Sequence, residues 1–172
     1  TSGNATRYDD LCLDYDAADR LVAIRRLVDP TGCGADPDRT RPCSSCATTP
    51  VQENGYDWKF RRVQRVEHVD EAGAPLSTPR CTTFVYDLYD RLIAEHDCSE
   101  GSSADPAANV VAEYVYLEGY HVLAVRRAGS WSWYANDHLP TPRKLVDASG
   151  AVVWDGRLEP FGTTADSGSN VE

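Results

Sequence analysis

Tyr15-Asp16-Ala17-Ala18-Asp19-Arg20-Leu21-Val22-Ala23 and Tyr86-Asp87-Leu88-Tyr89-Asp90-Arg91-Leu92-Ile93-Ala94 carry one pattern: Tyr-Asp, three residues, Arg-Leu, an aliphatic residue and Ala. Identity at this many fixed positions marks an internal repeat. Physically it reads as a strand, a tight turn and a returning strand. Tyr15, Leu21, Tyr86 and Leu92 supply apolar area, and Asp16 and Asp87 can accept hydrogen bonds from turn amides. Arg20 and Arg91 can pair with that aspartate or stack on a tyrosine ring. One such unit cannot bury its own apolar face, so repeats of this kind build extended arrays.

The surrounding sequence agrees with an all-β chain. Leu21–Ile24, Phe84–Tyr86, Val110–Tyr116, Val122–Val125 and Ala151–Trp154 are short runs rich in β-branched or aromatic residues, and each predicts a strand. Ala72-Gly73, Glu118-Gly119, Ser149-Gly150 and Asp155-Gly156 stand between such runs, where a hairpin reversal needs a residue tolerant of positive φ. Residues 146–154 form the clearest hairpin. The burial expected from this pattern rests on Tyr15, Leu21, Tyr86, Leu92, Trp133, Trp154 and Phe161.

Six segments follow. Residues 1–28 hold the first repeat strands, 29–50 a Cys/Pro-rich loop closed by disulfides, and 51–98 the central repeat strands. Residues 99–109 read as a flexible loop, 110–162 as further strands, and 163–172 as a polar tail. The basic group Lys59, Arg61, Arg62 and Arg65 lies among aromatic and aliphatic residues, so it is expected on the wet face of a strand.

Composition narrows the function classes. The chain has 172 residues, 41% hydrophobic and 26% charged, as in a globular protein rather than a disordered one. Seventeen basic against 27 acidic residues give a net charge of -10, which opposes binding to a nucleic-acid backbone. No apolar run is long enough for a membrane-spanning helix. The absence of Met, even at position 1, leads us to expect a processed or excised chain. Six cysteines suggest disulfides and an oxidising, extracellular or cell-surface location. The candidates are Cys12, Cys33, Cys43, Cys46, Cys81 and Cys98, which allow 15 pairings. A local bridge from Cys33 to Cys43 or Cys46 is one possibility, and Cys12, Cys81 and Cys98 flank repeat strands. Cys43-Ser44-Ser45-Cys46 also suggests zinc or redox chemistry. It lacks a second Cys pair or nearby His for zinc, and no helix start is evident to lower a thiol pKa. No cofactor is expected.

With these residues in hand, Tyr-Asp-x-x-x-Arg-Leu resembles the YD repeat of RHS proteins, a group that includes bacterial polymorphic toxins. The stretch Asp137-His138-Leu139-Pro140-Thr141-Pro142-Arg143 resembles the RHS-associated core sequence. It is followed by the hairpin and by Pro160-Phe161-Gly162, as that core is. Two positions depart from the pattern: Pro140 replaces the usual Gly and Leu158 the usual Tyr. Because proline fixes φ and has no amide donor, the turn around Thr141 is expected to differ. The resemblance implies a curved, spiralling antiparallel sheet, a shell or tube section. It implies as partners other copies or flanking RHS repeats meeting at sheet edges, with an enclosed toxin cargo. The self-cleavage region of toxin-type members is not matched.

Rival chemistries are less well supplied. The many aspartates recur with the repeat, as turn residues do, rather than as a glycosidase carboxylate pair. His138 beside Asp137 invites a catalytic reading, but no Ser or Cys nucleophile stands in a strained elbow near it. Trp131, Trp133, Tyr134 and Tyr120 could offer a platform for surface glycans, although alternating Trp-Ser-Trp also fits one core face of a strand. Asn4-Ala5-Thr6 is a glycan acceptor pattern at Asn4. The expectation is a non-enzymatic extracellular structural module that encloses or scaffolds, stacking head-to-tail into a filament or tube. The alternatives are a section of a toxin-encapsulating shell and a carbohydrate- or receptor-binding module.

Overall fold

A computed structural model describes residues 7–8, 10–28, 48–139, 141–158 and 164–166. These form thirteen strands: β1 (Arg7–Tyr8), β2 (Leu11–Tyr15), β3 (Leu21–Leu27), β4 (Thr48–Tyr56), β5 (Arg62–Val69), β6 (Pro75–Tyr86), β7 (Leu92–Asp97), β8 (Val110–Tyr116), β9 (Val122–Arg127), β10 (Ser130–Asn136), β11 (Pro142–Asp147), β12 (Val152–Leu158) and β13 (Thr164–Asp166). A 3-10 turn covers Pro106–Asn109, with the Asp105 carboxylate accepting from the Ala107 amide. The fold is all-β, and each strand lies next to its neighbour in sequence, antiparallel.

The chain divides into two compact units. One comprises Thr1–Thr83 with Asp97–Ala104, the other Phe84–His96 with Asp105–Glu172. In the first, register runs from Cys12↔Arg25 through Ile24↔Gln52 and Glu53↔Val66 to Val66↔Cys81. Cys12 and Leu27 are buried there. Charged pairs span the strands: Arg25 donates through Nε and Nη2 to the two oxygens of Asp14, at 2.7 and 2.8 Å. Cys81 and Cys98 are joined by a disulfide. The Cys98 amide also donates to the Cys81 carbonyl at 2.9 Å. Ser99 Oγ accepts from the Cys81 amide, so the start of the segment read as a flexible loop is tied to β6. Cys12 is disulfide-bonded as well. Cys33, Cys43 and Cys46, with most of 29–50, lie outside the described residues.

The second unit has its core on one face of the sheet. Ala112, Val125 and Leu145 are buried, and Tyr114, Tyr134, Val153 and Trp154 pack on them. Successive residues alternate faces. The register Tyr114↔Val125↔Ser132 and Tyr134↔Leu145↔Trp154 therefore places all six on that face. Trp131 and Trp133 fall on the opposite face and are part-exposed. This corrects the expectation for Trp133. Its strand does alternate, but the core lies on the side of Ser132 and Tyr134. Beneath the core face the Tyr114 hydroxyl donates to Glu95 at 2.5 Å and accepts from Arg127 at 3.1 Å. Burial, then the Glu95 carboxylate, pushes the Tyr114 hydroxyl well above the ordinary tyrosine range. Thr164–Asp166, inside the stretch read as a polar tail, is paired with β12. Phe161, Pro160, Gly162 and Asn4 lie outside the described residues.

Candidate functional site

The repeat becomes one recurring turn. Asp16 Oδ1 accepts from the amides of Ala18 and Arg20, at 2.9 and 3.0 Å. Asp87 Oδ1 does the same with Tyr89 and Arg91, at 2.8 and 3.0 Å. The second oxygen takes the guanidinium: Arg20 Nε at 2.7 Å and Nη2 at 2.6 Å, and Arg91 with the same two distances. The backbone closes the loop, with Asp16 N donating to Arg20 O and Asp87 N to Arg91 O, each at 3.0 Å. Arginine suits the position because its planar fork meets a carboxylate through two donors. The fourth residue of each turn adopts positive φ: Asp19 at 60° and Asp90 at 62°. Aspartate tolerates that region better than most side chains.

A third copy escaped the sequence reading. Tyr56-Asp57-Trp58-Lys59-Phe60-Arg61 repeats the geometry. Asp57 Oδ1 accepts from the Lys59 and Arg61 amides, Oδ2 from Arg61 Nε at 2.7 Å, and Phe60 takes φ 66°. Arg62 stands where the other copies have Leu, which broke the identity pattern. Lys59 and Arg61 therefore sit in a turn rather than on the face of a strand. The RHS-like core sequence is a fourth variant. Asp137 Oδ1 accepts from Leu139 N and Thr141 N, Asp137 N donates to Thr141 O, and Arg143 Nε reaches Asp137 Oδ2 at 3.0 Å from two residues further on. The backbone pattern around Thr141 thus follows the other turns, contrary to the difference expected from Pro140. His138 is exposed. The Asp137 carboxylate is engaged by Leu139, Thr141 and Arg143, so the geometry does not assemble an Asp-His pair.

Each aspartate is held below its ordinary value near 3.8. At Asp16 the leading cause is the Arg20 side chain, and at Asp137 it is the Leu139 and Thr141 amides. At Asp57 and Asp87 burial pushes upward, and the backbone and side chain of the turn arginine outweigh it.

The turns are also wired to one another within each unit. In the first, Arg20 Nη1 donates to the Asp57 carbonyl at 3.0 Å while its guanidinium lies 5.1 Å from the Tyr56 ring centre and 5.3 Å from that of Phe60. Tyr56 returns the contact, its hydroxyl donating to the Leu21 carbonyl at 3.0 Å. The second unit repeats this. Arg91 donates to Gly119 O at 3.0 Å and stacks on Tyr116 at 5.1 Å, and the Tyr116 hydroxyl reaches Leu92 O at 2.9 Å. One hairpin further, Asn136 Nδ2 donates to Val122 O at 2.7 Å. Arginine therefore does both things the sequence suggested: it pairs within its own turn and stacks on the tyrosine of the next hairpin. Of the suggested glycan platform, Trp131 and Trp133 share one face, Tyr134 is on the other, and Tyr120 sits in a turn. The four are not brought together.

This laddered turn in an antiparallel sheet defines a YD-turn β-protein. A family model described as RHS protein matches residues 132–167. No curated protein matches the sequence. Among solved structures, a Photorhabdus luminescens Tc holotoxin pore carrying a TccC3 mutation is similar, at 12% identity and a TM-score of 0.60, over 96% of this chain. TcdB2-TccC3-TEV is similar at 11% and 0.60 over 95%, and TcdB2-TccC3-Cdc42 at 12% and 0.59 over 96%. In each case the match covers 7% of the other chain. At these identities the likeness concerns the fold.

Proposed function

We propose that the chain is a non-enzymatic wall section of RHS type. It encloses or scaffolds, works outside the cell or at its surface, and is continued by flanking repeats or further copies along its sheet edges. The observation that carries this reading is the turn-to-turn ladder. Arg20 and Arg91 spend their forks on their own aspartates and on the next hairpin, so these repeated polar residues are consumed in holding hairpins together. Edge strands such as β13 present backbone donors and acceptors that another strand can pair with. Edge pairing that does not close produces a filament. In the Tc complexes the similar segment is a small part of a much longer chain, which supports the shell-section form of the reading, with a toxin cargo inside.

Negative-stain electron microscopy of the purified chain tests the assembly. Fibres or tubes are expected if edge pairing operates, and discrete particles at high concentration would remove the filament. The reading frame around the gene tests the wall. Further Tyr-Asp-x-x-x-Arg turns on either side support a shell section, and their absence on both sides would overturn it. The glycan alternative rests on Trp131 and Trp133. A glycan array showing no signal for the chain or for Trp131→Ala removes it.

A further inference from the structure

Three turns of the second unit carry large apolar side chains at their tips. These are Leu88 and Tyr89 on the first turn, Leu117 and Tyr120 on the next, and Leu139 on the third, with exposures from 67% to 94%. Antiparallel neighbours joined in sequence place these three turns at one end of that unit's sheet. The turns at its other end, Ala128-Gly129 and Ala148-Ser149-Gly150, bear only small residues. In the first unit the Asp57 turn carries Trp58 and Phe60, 82% and 62% exposed, whereas the Asp16 turn carries Ala17 and Ala18. Apolar side chains gathered at one end in this way mark an interaction surface.

Several of these side chains are also braced. Arg91 lies 5.3 Å from the Tyr89 ring centre, the Tyr120 hydroxyl donates to the Tyr89 carbonyl at 3.1 Å, Arg20 lies over Phe60, and Lys59 over Trp58. Aromatic side chains already held in place lose little entropy on binding, which is the character of interface hot spots. The charge pattern narrows the occupant. Arg91 and Arg143 are committed to Asp87 and Asp137, and Asp90 and Glu118 stand beside the tips. Such a rim is poorly suited to an anionic membrane or nucleic acid, and since the same acids repel a second copy, association between copies must come from the apolar tips. Among the described residues of that unit the turns at the other end carry only small side chains, and the rim, being one contiguous apolar patch, can match its own copy.

We propose that the second unit's turn tips, Leu88, Tyr89, Leu117, Tyr120 and Leu139, form a self-association surface whose occupant is the same rim of a second copy of this chain. Five side chains of this size present roughly 500–700 Å², close to the ≈800 Å² per partner of a standard interface. Rim against rim is isologous and closes at two copies. It is therefore distinct from edge pairing, which stays open, and it stands or falls independently of the wall reading.

Sedimentation velocity of the full chain, with its disulfides intact, tests this over a range of concentrations. Wild type is expected to pass from monomer to dimer, and more readily at higher salt, because salt screens Asp90 and Glu118 while leaving apolar contact intact. Leu88→Ser with Leu117→Ser should weaken dimerisation about tenfold or more, whereas Val152→Ser, exposed elsewhere, should not. Monomer at every concentration, or a double variant that dimerises like wild type, would overturn the proposal. So would a chain that is monomeric in buffer but sediments with phosphatidylcholine vesicles. If the double variant loses its β-sheet circular dichroism, hydrogen exchange of wild type decides instead. Protection gained with concentration at 87–90 and 117–120 supports the rim, and gain confined to other segments refutes it.

Discussion

Within each unit a hairpin at one end of the sheet closes as Asp16 to Arg20 and Asp57 to Arg61 in the first, or as Asp87 to Arg91 in the second. At the other it closes as Asp70 to Ala74 or Asp147 to Ala151. The backbone bonds are the same: Asp70 N to Ala74 O at 2.8 Å and Asp147 N to Ala151 O at 2.9 Å, with the aspartate oxygen accepting the returning amide in both. The companions differ. The plain turns put Gly73 and Gly150 at the positive-φ position and alanine after it. The Asp-Arg turns put Asp19, Phe60 or Asp90 there, and an arginine after it. Reversing a strand needs only the aspartate and a glycine. A side chain forced into the left-handed region is tolerated where the arginine clamp holds the loop, and Arg20 and Arg91 also join one hairpin to the next.

Acid breaks the comparison most broadly, because both kinds of turn rest on ionised aspartates. Asp16, Asp57, Asp87, Asp137 and Asp147 all have folded-state values below the ordinary one. Their contribution is complete above the unfolded value near 3.8 and is lost as pH falls through the lower folded values. Thermal melts between pH 6 and pH 2 should show a flat upper region and a steep loss at the acid end. A constant melting temperature throughout would contradict the assignment.

Removing the clamp separates the two kinds of turn. Arg91→Ala deletes the Asp87 fork, the Gly119 bond and two ring contacts, and should cost about 2–3 kcal/mol in urea denaturation. Arg91→Lys keeps the charge and should recover less than half of that. A lysine variant as stable as wild type would mean that charge alone suffices. Gly150→Ala probes the plain turn. A new Cβ there meets no atom within 4 Å at φ 85°, so the expected cost of about 1–2 kcal/mol is backbone strain alone. Asp19→Gly should do the reverse and stabilise by about 0.5 kcal/mol, the strain relieved being partly offset by glycine's entropy. If it destabilises instead, the Asp19 side chain contributes something beyond its backbone conformation.

Much of the local structure was legible in the residues. Val110–Tyr116 is strand β8 as read, and the tyrosine-aspartate repeat did mark strand, turn and strand. The Asp57 turn was missed because identity matching weighed Arg62 against leucine, while the geometry uses only the aspartate and the arginine four residues on. The link at Asp137 was hidden because its arginine sits two positions later. Trp133 was misplaced because alternation says which residues share a face but not which face is covered.

The sequence by itself determined the element type, the turn chemistry and the resemblance to RHS proteins, since these depend on side chains a few residues apart. Only the tertiary structure decided that Arg20 and Arg91 bond to carbonyls of the following hairpin and that Tyr56 and Tyr116 bond back. It also decided that Leu88, Tyr89, Leu117, Tyr120 and Leu139 stand exposed at one end of the second unit. Backbone carbonyls are identical in every residue, and exposure depends on what packs alongside, so neither is written in the order of the amino acids.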